Sequence, residues 1–169
     1  MRHMWWVVAV VTAVAVVATY LTWTAARVDR LHRRVAAART ALDANLARRA
    51  EAAVALPGPA VLHVAARTAR DAGPDDREAA ENDLTRQLRA IVPDADAPAD
   101  PAVDEIVAIS RRLALARQVH NDVVRDALAV RRQLLVRLLG LARRHPHPAY
   151  FDVDDPTLEP ARQAVPAGE

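Results

Sequence analysis

Titratable side chains at helical spacing are the first places where this sequence could do chemistry. Glu78 and Glu81 stand about one turn apart, as do Asp122 and Asp126, and either pair could divide general acid and base roles. Asp29-Arg30-Leu31-His32 has the carboxylate-x-x-imidazole spacing that serves di-metal sites in helical bundles, with Asp in place of Glu. His145-Pro146-His147-Pro148 adds two more imidazoles. A blander account weighs more at each position. Paired carboxylates with no pocket signal are surface charges, the Asp29–His32 run is a solvated face, and the histidine–proline repeat is a fixed turn. His120 stands apart, on an apolar stripe among Ala116, Val123 and Ala127. It reads as a neutral, hydrogen-bonded core imidazole, with pH sensing as the sharper alternative. The adjacent pair Tyr150-Phe151 holds the only aromatics beyond residue 23, so it is expected to dock on the fold or to meet a partner. No catalytic, cofactor or metal residue is assigned.

Composition narrows the chemistry further. Zero cysteines exclude disulfides, thiolate zinc sites, Fe–S clusters and a cysteine nucleophile. The four glycines are too dispersed for a phosphate-cradling loop. With 169 residues and 52% apolar content, the chain suits one domain plus an anchor.

The anchor is Met4 to Ala26, 23 residues without a charge. As a helix it spans about 35 Å, enough for a hydrocarbon core of roughly 30 Å. Trp5 and Trp6 mark one interface, and Tyr20 and Trp23 the other, so the bilayer contact is Trp5–Trp23. A cleaved signal peptide would need a shorter apolar core of about 7–15 residues. Trp23 also intrudes just before the one small-residue site, Thr24-Ala25-Ala26. Arg27, Arg30, Arg33, Arg34 and Arg39 follow the span, against Arg2 before it. The positive-inside rule therefore leaves the bundle in the cytoplasm, on a single-pass plasma-membrane protein.

Helical periodicity fills the rest. Val28, Leu31, Val35, Ala38 and Leu42 recur at steps of 3 and 4, continuing the first helix to Leu56 before Pro57-Gly58-Pro59 stops it. A short helix is expected over 60–72, ended by Gly73 as C-cap, and a third from Pro74 to Ile91. After a proline- and aspartate-rich loop, Asp100-Pro101 opens the longest helix. Ile106, Ile109, Leu113, Ala116, His120, Val123, Ala127, Val130 and Leu134 carry it to about Leu139 in a coiled-coil-like 3-4 alternation. Val124, Leu128, Leu135 and Leu139 widen that face to what a bundle requires. Residues 153–169 read as a polar, disordered tail. The expected fold is all-α: a transmembrane helix over 1–26, then an up-and-down bundle of long antiparallel helices over 27–152.

Charge is segregated. Residues 1–70 carry +7, 71–105 carry −8, 106–149 carry +7 and 150–169 carry −4. An acidic segment packed between basic helices accounts for this without nucleic acid, and none is expected as a partner.

Four stretches in order resemble the LemA family of bacterial membrane-anchored helical proteins. They are LDANLARRAE (Leu42–Glu51), AENDLTRQL (Ala80–Leu88), ARQVHND (Ala116–Asp122) and PAYFD (Pro148–Asp152). His120 replaces the family's tyrosine, Val54 and Ala55 stand where a proline is usual, and Leu134-Leu135 replace its Phe-Pro. The resemblance covers Arg27 to Asp152 and implies a bundle on a membrane stalk, with no established enzymatic activity. The function expected is a non-enzymatic interaction or scaffolding module of the cell envelope, with a protein partner or a second copy bound. The alternatives are anionic-lipid binding through the Arg-rich face of Arg111 to Arg144 and, less favoured, a metal-dependent hydrolase.

Overall fold

The computed structural model describes residues 2–92, 100–133, 136–137, 139–140 and 145–158. Its elements are α1 (Arg2–Ala55), α2 (Ala60–Asp71), α3 (Arg77–Ile91) and α4 (Pro101–Arg131), and no strand occurs among the described residues. The fold is all-helical. α1 is unbroken because its 54 residues contain neither proline nor glycine.

The chain divides into two compact units. Residues 1–37 and 122–149 form one, and residues 38–121 and 150–169 the other. In the first unit, α1 exposes Trp5, Trp6, Val7, Val8, Val10, Val11, Val14, Val16 and Val17. An 18-residue window inside Met4–Ala55 is apolar enough to cross a membrane, and none of it is buried. The hydroxyls of Thr19 and Thr24 donate to the carbonyls of Ala15 and Tyr20, at 2.9 and 2.8 Å. Such back-bonding satisfies the hydroxyl within its own helix. Beyond the apolar stretch, Val28, Val130 and Val136 form a small core with Leu31 packed against it.

The second unit holds the larger core. Ala50 and Ala53 of α1 and Leu56 just beyond it meet Leu62, Ala66 and Ala69 of α2, Ala80, Leu84 and Leu88 of α3, and Ile106 of α4. The many alanines let these helix backbones approach closely, and each buried leucine contributes about 1.5–3 kcal/mol. A second cluster gathers Leu42, Leu46 and Leu113 around Phe151 and Val153.

Helix ends show where sequence expectations hold and where they fail. At the Pro57-Gly58-Pro59 stop, a Cβ on Gly58 would stand 3.0 Å from a Leu62 methyl, so a side chain there would require that methyl to shift by a few tenths of an ångström. Gly73 is the expected C-cap glycine, yet among the described residues the one positive φ is at Gly140 (62°). The end of α2 is closed differently: Ala72 turns extended, and Arg77 Nη2 donates to its carbonyl at 2.9 Å. α3 begins at Arg77 and not at Pro74, after a turn over 74–76. Asp100 caps α4 as expected, its Oδ1 accepting from the Ala102 amide at 2.9 Å.

α4 stops at Arg131, well before Leu139. The Arg132 amide is shared between the Leu128 and Ala129 carbonyls, and Gln133 bonds to Val130, so the last turn tightens and ends. Val136 then reaches the valine core from beyond this turn, while Leu139 is exposed. The leucines at 134 and 135 lie outside the described residues.

Residues 153–158 correct the reading of a polar tail. Val153 and Leu158 are buried in the core of the second unit. The remainder of the expected tail, 159–169, lies outside the described residues.

Candidate functional site

In the first unit, two motifs far apart in sequence come together. The His32 and His145 rings stack with centroids 4.1 Å apart and an 18° interplanar angle. His145 Nε2 lies 2.9 Å from Asp29 Oδ1. His32 Nδ1 lies 2.9 Å from the Val28 carbonyl, while its Nε2 faces Arg131 Nη1 at 3.2 Å. These contacts fit one tautomer, a neutral ring that donates from Nδ1 and accepts at Nε2. Burial lowers the His32 pKa from its ordinary value, and the neighbouring His145 and Arg131 lower it further against the Val28 bond, which raises it. Arg131 also donates to the His145 and Pro146 carbonyls at 3.4 and 3.3 Å. The Asp29–His32 spacing thus holds the returning chain. No group of three or more His, Asp or Glu side chains that could hold a metal ion occurs among the described residues.

The second unit contains a polar centre that the sequence reading missed. Arg49 is 0% exposed and Glu81 1% exposed. Arg49 Nη1 donates to Glu81 Oε2 at 3.4 Å, and Nη2 donates to Thr85 Oγ1 at 2.9 Å. Thr85 passes its own hydroxyl proton to the Glu81 carbonyl at 2.8 Å. Arg49 Nε has no acceptor among the described residues. Desolvation outweighs this single long bond: it pushes Glu81 up to about 6 and draws Arg49 down to about 10. The signal existed in the helical register. Arg49 follows Leu42 by seven and Leu46 by three, and Glu81 precedes Leu84 by three and Leu88 by seven.

The non-helical segment 150–158 is held in the same unit through its backbone. Asn121 brackets Phe151, accepting from its amide at 3.0 Å and donating to its carbonyl at 3.1 Å. Arg117, one turn earlier, donates to the Val153 carbonyl. On α3, Glu78 Oε1 accepts from the Asp152 amide and Asn82 Oδ1 from the Asp154 amide, both at 2.9 Å. Arg89 Nη2 donates to the Asp155 carbonyl at 2.6 Å. Burial alternates along it: Phe151 and Val153 are buried, and Asp152 and Asp154 are exposed.

Each singled-out residue now has a place. Phe151 is buried, with the Arg39 guanidinium 5.3 Å from its ring centroid, whereas Tyr150 is 49% exposed. The expected docking of both rings therefore holds for one. His120 is buried at 2% exposure. The carboxylate pairs are not brought together as acid and base. Glu78 grips the tail, Glu81 faces Arg49, Asp122 pairs with Arg125 at 2.7 Å, and Asp126 is exposed. The Arg-rich face of α4 is broken up in the same way, because Arg117, Arg125 and Arg131 are engaged internally.

Two surface grooves complete the inventory. One, of about 600 Å³, lies in the second unit between α1 and α4. Ala52, Ala55, Ala102 and Ala108 floor it, and Arg48, Glu51, Glu105 and Arg112 form its charged rim. The other, of about 490 Å³, lies in the first unit between Trp23, Arg27, Arg30 and Arg34 on α1 and Asp126 and Val130 on α4.

Compared with protein-family models, curated proteins and solved structures, the chain matches none.

Proposed function

We propose that this chain is a single-pass, membrane-anchored helical bundle that acts as a non-enzymatic interaction module of the cell envelope. The observation that carries the reading is α1 itself. Its first turns expose an uninterrupted apolar surface, and later turns of the same helix supply Leu42, Leu46, Ala50 and Ala53 to the core. A soluble protein would hide such a surface, and lipid is the solvent that accepts it. The arginines after Ala26 favour a cytoplasmic bundle.

Burial of Arg49 against Glu81, and the grip of Asn82, Arg117 and Asn121 on the Tyr150–Leu158 segment, bring residues 42–51, 80–88, 116–121 and 150–152 of the LemA-like stretches into the second unit. A LemA-type membership rests on the four sequence stretches themselves. The alanine-floored groove supports the interaction role, since small residues allow a partner helix, from another protein or a second copy, to approach within van der Waals contact.

Two measurements test the reading. Full-length protein should remain with membranes through carbonate extraction, and release would refute the anchor. The chain has no cysteine, so a single Cys at exposed Ala90 reports sidedness through an impermeant maleimide. Photocrosslinkers at Ala55 and Ala108 should give discrete protein adducts in cells. Adducts no more frequent than from exposed Thr68 would refute the groove as the contact surface.

A further inference from the structure

The arginines that follow the apolar stretch are a distinct population. Arg39, Arg49 and Arg77 face carboxylates, and Arg117 and Arg131 bond backbone carbonyls. Arg27, Arg30 and Arg34 do neither: among the described residues, no carboxylate lies within 4.0 Å of them. At steps of 3 and 4 they share one face of α1 and wall the groove of about 490 Å³, where Asp126 is the one acid among the described lining residues. Leu31, Ala129 and Val130 give the same groove an apolar side, and Gln133 adds a neutral hydrogen-bonding group.

Depth along the helix places Arg27 within a leaflet's polar layer, with Arg30 and Arg34 on its aqueous side. Trp23 is 53% exposed and belongs to the aromatic end of the span, with Tyr20 at 6.3 Å between ring centroids. Such rings settle at the boundary between hydrocarbon and headgroups. At 1.5 Å per residue, Arg27, Arg30 and Arg34 follow about 6, 10 and 16 Å beyond it. The headgroup layer on each side is about 5–8 Å thick, and arginine side chains reach back toward it. The Arg27 guanidinium already lies 5.7 Å from the Trp23 ring centroid, which holds its charge at that level. Guanidinium forks bind phosphate oxygens two at a time, and this geometry recurs wherever phosphate is recognised.

We propose that the groove walled by Arg27, Arg30 and Arg34 binds the headgroup phosphate of an anionic phospholipid from the leaflet on the bundle side. The glycerol end of the lipid lies against Leu31 and Val130. The inference rests on the membrane-anchored reading of α1 and adds to it a lipid-selective site. It lies on α1, not on the Arg111–Arg144 face where the sequence alone placed lipid contact.

Trp23 is the reporter. In a Trp5→Phe/Trp6→Phe chain it is the sole tryptophan. Full-length protein is reconstituted in phosphatidylcholine vesicles, with acyl-brominated phosphatidylglycerol or acyl-brominated phosphatidylcholine as quencher. The expected result is stronger quenching by the anionic lipid. This preference should fall about fivefold for each of Arg27→Gln, Arg30→Gln and Arg34→Gln, vanish in the triple variant, and survive largely in the triple lysine variant. Arg111→Gln should leave it unchanged. Far-UV circular dichroism confirms that each variant stays helical. A preference that persists in the triple glutamine variant overturns the proposal, as does an equal loss in Arg111→Gln. If millimolar inorganic phosphate abolishes the preference, the groove takes a free anion and the lipid assignment fails. Absence of quenching by either brominated lipid means Trp23 is outside the bilayer, which overturns the anchor and this site together.

Discussion

Replacing Arg49 by methionine should be among the most damaging single changes available to the second unit, and a further change at Glu81 should undo most of the damage. Arg49 and Glu81 are both shielded from water and joined by one bond of 3.4 Å. In Arg49→Met the carboxylate remains buried without its cation. Breaking a buried pair from one side costs about 3–5 kcal/mol, a large share of a typical stability of about 5–15 kcal/mol. In Arg49→Met/Glu81→Leu both desolvation costs disappear and apolar side chains of similar reach fill the space. Such replacements are neutral or stabilising by about 1–4 kcal/mol. The unbonded Arg49 Nε strengthens the expectation, because the native pair leaves a buried donor unsatisfied. Urea unfolding of the full chain in mild detergent, followed by circular dichroism, measures all three proteins. The reasoning fails if Arg49→Met costs less than about 1 kcal/mol, or if the double variant is no more stable than the single one.

The pH dependence of Glu81 follows from the same burial. Its folded pKa of about 6 is raised above the ordinary 4.5, so its contribution is fully present below pH 4.5 and lost as pH rises through about 6. The stability difference between parent and Glu81→Gln should therefore shift by about 2 kcal/mol across that window, in the parent's favour on acidification, and a flat difference would refute it. Leu113→Asp should unfold the bundle and Arg112→Ala should cost under about 1 kcal/mol, because Leu113 is buried beside Phe151 and Arg112 is exposed; equal melting shifts would mean the helix face is misassigned. Val124→Asp should be as damaging as Leu113→Asp, whereas half-buried Val123 should tolerate the change better. Phe151→Ala should cost about 3–5 kcal/mol and Tyr150→Ala under about 1, measured by the same unfolding assay. If the two costs are equal, the segment is not held as described.

Much of this molecule was legible one residue at a time. Absence of helix breakers dictated α1, Pro57-Gly58-Pro59 its end and Asp100-Pro101 the start of α4, because proline geometry and capping act within a few residues. Apolar spacing likewise marked Leu42, Leu113, Val130 and His120 as inward-facing, since a helix repeats its faces whatever it packs against. Tertiary structure decided what local rules cannot reach. Nothing near Gly73 foretells that Arg77 will close α2, and the leucine spacing past Val130 gives no hint that α4 ends at Arg131. Arg49 and Glu81 are ordinary surface residues until two helices bury both, and Phe151 parts from Tyr150 only where the chain, held by Asn121, buries one ring and leaves the other exposed. The same holds for His32 and His145, whose stacking depends on a chain return of more than a hundred residues. Composition and period record what each residue tolerates; which partner it meets is set by packing, where contacts distant in sequence compete for one place.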